Sequence, residues 1–222
     1  EMLRSLVGSE MCIRDRDLTV NKKGAWVPAA PGDEVLAKSG QVYFHSASGE
    51  RKSTGSYYTP SFVVEQLVYQ AVTPALEKHL ATIKSHIDSG DQVSAYNAFF
   101  DFKVVDLAMG SAHFLVSAID KIESQMRSFV IQPENAIEGL SSELLRLENV
   151  AKTALGSDEA AYAEIESSSL LRRQIARRCI YGLDINPLAV ELARLAIWIH
   201  TFVPGLPMSN LERNLVCADS LS

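Results

Sequence analysis

Asp106-Leu107-Ala108-Met109-Gly110-Ser111-Ala112-His113-Phe114-Leu115 decides the fold of this chain. An apolar, β-prone run (Phe102, Val104, Val105) leads into it, and a helical pattern (Phe114, Leu115, Ala118, Ile119, Ile122) leads out. Strand, tight small-residue turn and helix in that order make the ligand-binding βα turn of an open α/β sheet. Gly110 can turn left-handed or approach a ligand without a Cβ clash. The N–H groups after it fall at a helix N-terminus, where a carboxylate or phosphate is stabilised. Taken alone, the same residues also describe an ordinary βα turn.

A second stretch, Ile180-Tyr181-Gly182-Leu183-Asp184-Ile185-Asn186-Pro187-Leu188-Ala189-Val190-Glu191-Leu192-Ala193, repeats the pattern. An apolar strand again ends in an acid, and Asn186 then Pro187 read as N-cap and first helical residue. An acid at the tip of the second strand of a nucleotide-binding half is placed to accept ribose hydroxyls. A third run, Leu215-Val216-Cys217-Ala218, leads to Asp219. The expected class is α/β, with three successive parallel strands presenting acids at their carboxyl ends.

These residues resemble a known family. DLAMGSAHFL, YGLDINPLAVELA and CADSL are similar to the successive motifs of S-adenosylmethionine-dependent adenine-specific DNA methyltransferases, most of all the single-chain methylases of type IIG restriction-modification and phage-defence systems. Thr54-Gly55-Ser56-Tyr57-Tyr58-Thr59-Pro60 resembles the G-x-Y-Y-T-P signature that precedes the first motif. The resemblance implies a Rossmann-like class I methyltransferase sheet, of which the first three strands and flanking helices fall here, with a helical insert. It implies that Asp106 attracts the cofactor ammonium and that Ala108, Gly110, Ser111, Ala112 and Phe114 shape the turn around the methionine end. Tyr58 and Thr59 close over that end, Asp184 takes the ribose diol, Ile185 covers an adenine face, and Asp219 accepts from the adenine amino group. A sulfonium carries its own methyl-transfer reactivity, so no metal is expected.

Two departures stand in the first motif. Leu107 occupies the family's usual Pro, and Ala112 its second Gly, although Ala tolerates positive φ poorly. The family's catalytic run, Asn or Asp followed by Pro-Pro-Tyr or Phe, does not occur among the 222 residues. Asn186-Pro187-Leu188 is not it, and the run is expected beyond Ser222, so the chain reads as truncated. A nicotinamide dehydrogenase lacks support because G-x-G-x-x-G is missing. A non-catalytic S-adenosylmethionine-binding scaffold, or a methyltransferase acting on RNA or protein glutamine, stays open.

Net charge is −6, against the basic balance usual for a DNA-gripping segment. Double-stranded DNA is therefore expected to be held by regions outside this chain, with restriction or defence subunits as further partners. No apolar run is long enough for a membrane span and no signal peptide is legible, so a cytoplasmic protein is expected. Cys12, Cys179 and Cys217 lack metal-site spacing and read as free thiols, the last two in buried strands.

Domain boundaries follow. Residues 1–16 contain Ser5-Leu6-Val7-Gly8-Ser9-Glu10-Met11-Cys12-Ile13-Arg14-Asp15-Arg16, which resembles the translation of a transposon-end sequencing adapter, and are expected to be an artefact, the alternative being a genuine N-terminal segment. Residues 17–52 read as an N-terminal extension with a short strand at Gln41–Phe44. Residues 53–222 read as the N-terminal half of the cofactor-binding domain. Thr59 and Pro60 should cap and start a helix burying Val63, Val64, Leu67, Val68, Ala71 and Val72, which Pro74 should kink or restart. Asp184 follows Asp106 by 78 positions, where a compact dinucleotide fold needs about 20. The excess is an acidic helical insert over 133–178, with Arg172, Arg173, Arg177 and Arg178 expected on a solvated helix end. The helix after Asn186 is apolar nearly all round and should be buried on every side.

Overall fold

The structure is a computed structural model that describes residues 3–4, 9–13, 17–20, 26–36, 38–39, 42–46, 59–157, 159–163 and 165–221. The chain forms two compact units, Glu1–Tyr58 and Thr59–Ser222. In the first, β1 (Leu3–Arg4), β2 (Ser9–Ile13) and β5 (Val42–Ser46) form one antiparallel sheet, and β3 (Leu18–Val20) pairs with β4 (Trp26–Pro28) in another. The strand expected from Gln41 is β5; Gln41 itself lies outside the described residues.

The second unit runs α1 (Ser61–Asp88), α2 (Gln92–Phe99), β6 (Val104–Asp106), α3 (His113–Val130), a 3₁₀ turn (Pro133–Asn135), α4 (Leu140–Leu155), α5 (Glu159–Tyr162), α6 (Ser167–Cys179), β7 (Ile180–Asp184), α7 (Pro187–His200) and β8 (Leu215–Cys217). The three strands form a parallel sheet in the order β6-β7-β8, with Asp106 opposite Gly182 and Asp184 opposite Cys217. Parallel neighbours need long crossovers, and here the first carries α3 through α6 while the second carries α7. The expected α/β class matches this order, and residues 133–178 hold the 3₁₀ turn, α4, α5 and most of α6.

Helices α1 and α3 pack on one another, and α3 also packs on α6 and α7. Their shared core joins Val64, Val68, Val72 and Leu76 of α1 to Leu115, Ile119, Ile122 and Met126 of α3, Ile175 of α6, Val190 and Ile197 of α7, and Leu215 of β8. Each such side chain, once enclosed, contributes about 1.5–3 kcal/mol.

Several expectations need correction. The seam of α1 follows strict i+4 spacing through Val64, Val68, Val72 and Leu76, while Leu67 is 48% exposed and Ala71 is exposed. Helix α1 packs along one line, so the apolar stripe beside that line stays uncovered. Pro60, not Thr59, occupies the N-cap: its backbone is extended (φ −56°, ψ 142°) and its carbonyl accepts from Val63 N (3.0 Å) and Val64 N (3.2 Å). Pro74 lies inside α1, which runs on to Asp88, so the helix does not restart there. Helix α7 buries one face only, through Ala189, Val190, Ala193 and Ile197, and leaves Leu195 and Ile199 exposed.

The arginines of α6 are not a solvated end. Arg173 is buried and donates to Pro207 O. Arg172 pairs with Asp120 (3.4 Å), and Arg178 pairs with Glu143 (3.3 Å) while lying over the Phe100 ring. Within the unit these cations tie α6 to α3, to α4 and to the loop before β8; Arg177 alone of the four is exposed. Finally, Cys179 is buried but Cys217 is exposed, because β8 pairs with β7 alone among the described residues.

Candidate functional site

The carboxyl ends of β6 and β7 bring together most of the sequence-predicted residues. Asp106 closes β6 and is half-buried; its Oδ1 accepts from Ala108 N at 3.0 Å, folding the turn back over the strand end. Burial pushes the Asp106 carboxyl above the ordinary carboxylate range; the Ala108 N–H works against that, and the nearby charge of Asp184 adds to it. Ala108 and Ser111 are exposed on the turn, Gly110 and Phe114 are half-buried, and Met109 is buried.

The turn is left-handed twice. Gly110 has φ 54° and Ala112 has φ 67°, and Ala112 is the one non-glycine residue with positive φ among the described residues. Ala112 thus adopts the left-handed backbone that alanine tolerates poorly. Ala112 is the N-cap of α3 and offers no side-chain cap, and its N–H donates to Met109 O at 2.8 Å. An α-helix leaves its first-turn N–H groups without intrahelical acceptors, so this end is open to an anionic ligand group. A Cβ built on Gly110 would meet nothing within 4 Å, which leaves room directly over the turn.

Strand β7 holds that turn in place. Met109 N donates to Leu183 O (2.9 Å), and Gly110 N donates to Asp184 Oδ2 (2.8 Å). The other carboxylate oxygen of Asp184 accepts from Asn186 N at 2.8 Å, and Asn186 Oδ1 accepts from Leu188 N at 3.0 Å, the cap expected for α7. Asp184 therefore fastens two turns at once, a role its strand-end position alone does not reveal. Its backbone carbonyl accepts from Ala218 N at 3.0 Å, which draws the end of β8 to the same edge.

The remaining candidates sit differently. Ile185 is 62% exposed just beyond Asp184. Asp219 lies past the end of β8, exposed, and its Oδ1 accepts from Leu221 N at 2.9 Å. Thr59 stands half-buried before Pro60 at the start of the helical unit, and Tyr58 lies outside the described residues. Sequence reasoning missed Gly182 and Asn214. A Cβ at Gly182 would collide with Met109 Sδ; a glycine inside an apolar strand is the signal of such a close approach. Asn214 donates to Ile180 O (2.8 Å) and Arg177 O (3.1 Å), and its own carbonyl accepts from Gly182 N (2.8 Å), which sets the start of β8 beside β7.

A model of the N-6 DNA methylase family matches the chain. That match covers residues 41–203. The chain belongs to the N-6 DNA methylase family. It is also 25% identical, over 219 residues, to a protein of Methanocaldococcus jannaschii assigned by name as a type II restriction enzyme and methyltransferase. The alignment covers 84% of this chain and 15% of that relative, so this chain spans a small part of the relative's length. No solved structure matches it.

The donor set of this chain fits a cofactor that carries both an ammonium and a carboxylate. Asp106 is a desolvated carboxylate beside a second one, and a cation there relieves both burial and repulsion. The uncapped start of α3 offers N–H groups for an anion a few residues away.

Proposed function

We propose that this chain is the S-adenosylmethionine-binding part of a DNA adenine-N6 methyltransferase that works in restriction-modification or phage defence. The observation that carries the reading is the fastening of the glycine turn to Asp184: Gly110 N–H donates at 2.8 Å to the acid that would serve the ribose. Family membership and the name of the archaeal relative support the DNA-methylating role.

When bound, S-adenosylmethionine supplies an electrophilic methyl on its sulfonium. The chain's own residues bind and orient. Asp106 attracts the ammonium, and the open backbone over Gly110, Ser111 and Ala112 admits the carboxylate end near the α3 N-terminus. Phe114 and Thr59 line that end. Asp184 retains lone pairs for the ribose hydroxyls while holding both turns. Ile185 lies along one adenine face, and Asp219 accepts from the adenine amino group. No Asn or Asp-Pro-Pro-Tyr or Phe run occurs in these 222 residues. Under this reading the groups that hold a flipped target adenine, and the surface that grips DNA, come from the rest of the protein. The acidic balance of the chain agrees with that division.

Calorimetric titration of the purified chain tests the reading. S-adenosylmethionine and its demethylated product should bind at a single site, and NAD should neither bind nor compete. A chain that binds NAD and ignores S-adenosylmethionine would sink it.

A further inference from the structure

Three consecutive residues of β7 meet the turn. The Gly182 position faces the Met109 side chain, Leu183 O accepts from Met109 N at 2.9 Å, and Asp184 Oδ2 accepts from Gly110 N at 2.8 Å. Met109 is 3% exposed although Leu107, two residues before it, is 58% exposed. Its side chain therefore points down into the unit and not along the turn. A Cβ on Gly182 would overlap Met109 Sδ and would stand 3.0 Å from Leu115 Cδ1 and 3.3 Å from Leu215 Cδ2. That spot is closed at once by the turn, by α3 and by β8. A methionine usually yields by rotating, but one this enclosed has packed neighbours on its flanks, and close-packed interiors transmit such a push.

We propose that Met109 and Gly182 are a volume-matched pair that sets the height of the 107–112 turn over β7, which makes Met109 a positioning residue for the cofactor. The pair rests on the reading of this edge as the S-adenosylmethionine site. Raising Met109 would lengthen the Met109 N to Leu183 O and Gly110 N to Asp184 bonds together, since the two donors are consecutive residues and so are the two acceptors. Hydrogen bonds weaken steeply once stretched or bent, so a small lift releases the turn.

The test is a double-mutant cycle in the 222-residue chain, read by calorimetry with S-adenosylmethionine and by hydrogen exchange at the Met109 and Gly110 amides. Gly182→Ala should weaken binding by about tenfold and speed exchange at both amides. Met109→Ala should weaken binding several-fold, and Met109→Leu, which keeps the volume, should stay within about threefold of the parent. The double variant Gly182→Ala with Met109→Ala should bind more tightly than either single variant and recover amide protection. That recovery is the readout a merely structural residue would not give. Additive losses in the double variant would overturn the pair, as would Met109→Ala with parental affinity. If Gly182→Ala does not fold, the contrast between Met109→Ala and Met109→Leu decides alone. A parent chain that binds no S-adenosylmethionine overturns the functional reading and the cofactor-positioning role with it. Amide exchange in the same variants then still decides whether the pair holds the turn.

Discussion

The two strand-end turns of the sheet solve the same problem by different means. After β7, Asn186 caps α7 with its own side chain and Pro187 supplies the first helical residue, all within a few positions. After β6, two residues adopt left-handed backbone and no side chain caps α3. The β7 turn is locally self-sufficient. The β6 turn is held from outside, by Leu183 O, Asp184 and the space over Gly182. The N–H groups of Ala108, Met109, Gly110 and Ala112 are spent on holding the turn, which leaves the Phe114 and Leu115 N–H groups in the first turn of α3 for a ligand, and the neighbouring strand has to supply the order that local chemistry does not.

Breaking the outside support should have the largest effect. Asp184→Ala removes the acceptor for both Gly110 N and Asn186 N, along with the proposed ribose contact. Hydrogen bonds to a charged group contribute about 1.5–3 kcal/mol each, so calorimetry should find S-adenosylmethionine affinity lowered at least tenfold. Asp184→Asn, which retains one acceptor oxygen, should fall between. Unchanged affinity in both would refute the role given to Asp184.

Asp106 separates binding from stability. Its pKa is raised in the native chain, chiefly by burial, so the native state holds that proton more tightly than the unfolded chain does. The sign follows: the raised value favours folding below the unfolded pKa, and that contribution is lost as pH rises through the native value. Asp106→Asn keeps an oxygen for Ala108 N and abolishes the buried charge. It should hold or raise the melting temperature at neutral pH while weakening S-adenosylmethionine binding severalfold. Binding to the parent should weaken as pH falls through the raised value, with proton release on binding in that window. A variant that loses stability and affinity together would contradict the assignment.

Asn186→Ala probes the self-sufficient turn. Loss of the cap should cost about 1 kcal/mol in urea unfolding, with amide exchange at Gly110 unaffected. Spread of the damage to Gly110 would show that the two turns are not separable. Ala112→Gly runs the other way. An L-residue in left-handed backbone carries a penalty of about 1–2 kcal/mol. Removing it, less the small loss of a buried methyl, should stabilise the chain by about 1 kcal/mol or slightly less. A destabilised variant would mean that the Ala112 methyl contributes more than its backbone costs.

The smallest effect concerns the thiols at either side of β7. In a Cys12→Ser background, Cys217 should label in the native chain, since it is exposed. Cys179, its thiol pushed up to about 12 by burial, should label only after unfolding. Equal rates would contradict the placement of β8 as the outer strand.

Local chemistry wrote much of this into the sequence. Three apolar runs ending at acids, the Asn186-Pro187 helix start and the small-residue turn around Gly110 each depend on neighbours within a few positions, so the strand–turn–helix order was legible. The family resemblance was legible for the same reason, being a string of such local pieces. What covers a surface is not local. The uncovered stripe of α1 through Leu67, the open face of α7 at Ile199 and the exposure of Cys217 depend on which elements arrive beside them. The four arginines of α6 look like a solvated helix end in sequence. Three are drawn inward by Asp120, Glu143 and Pro207 O, which lie far away along the chain. Asp184 shows the division within one residue. Its place at a strand tip follows from the apolar run before it, whereas its grip on Gly110, 74 residues earlier, exists because parallel pairing sets β6 and β7 side by side.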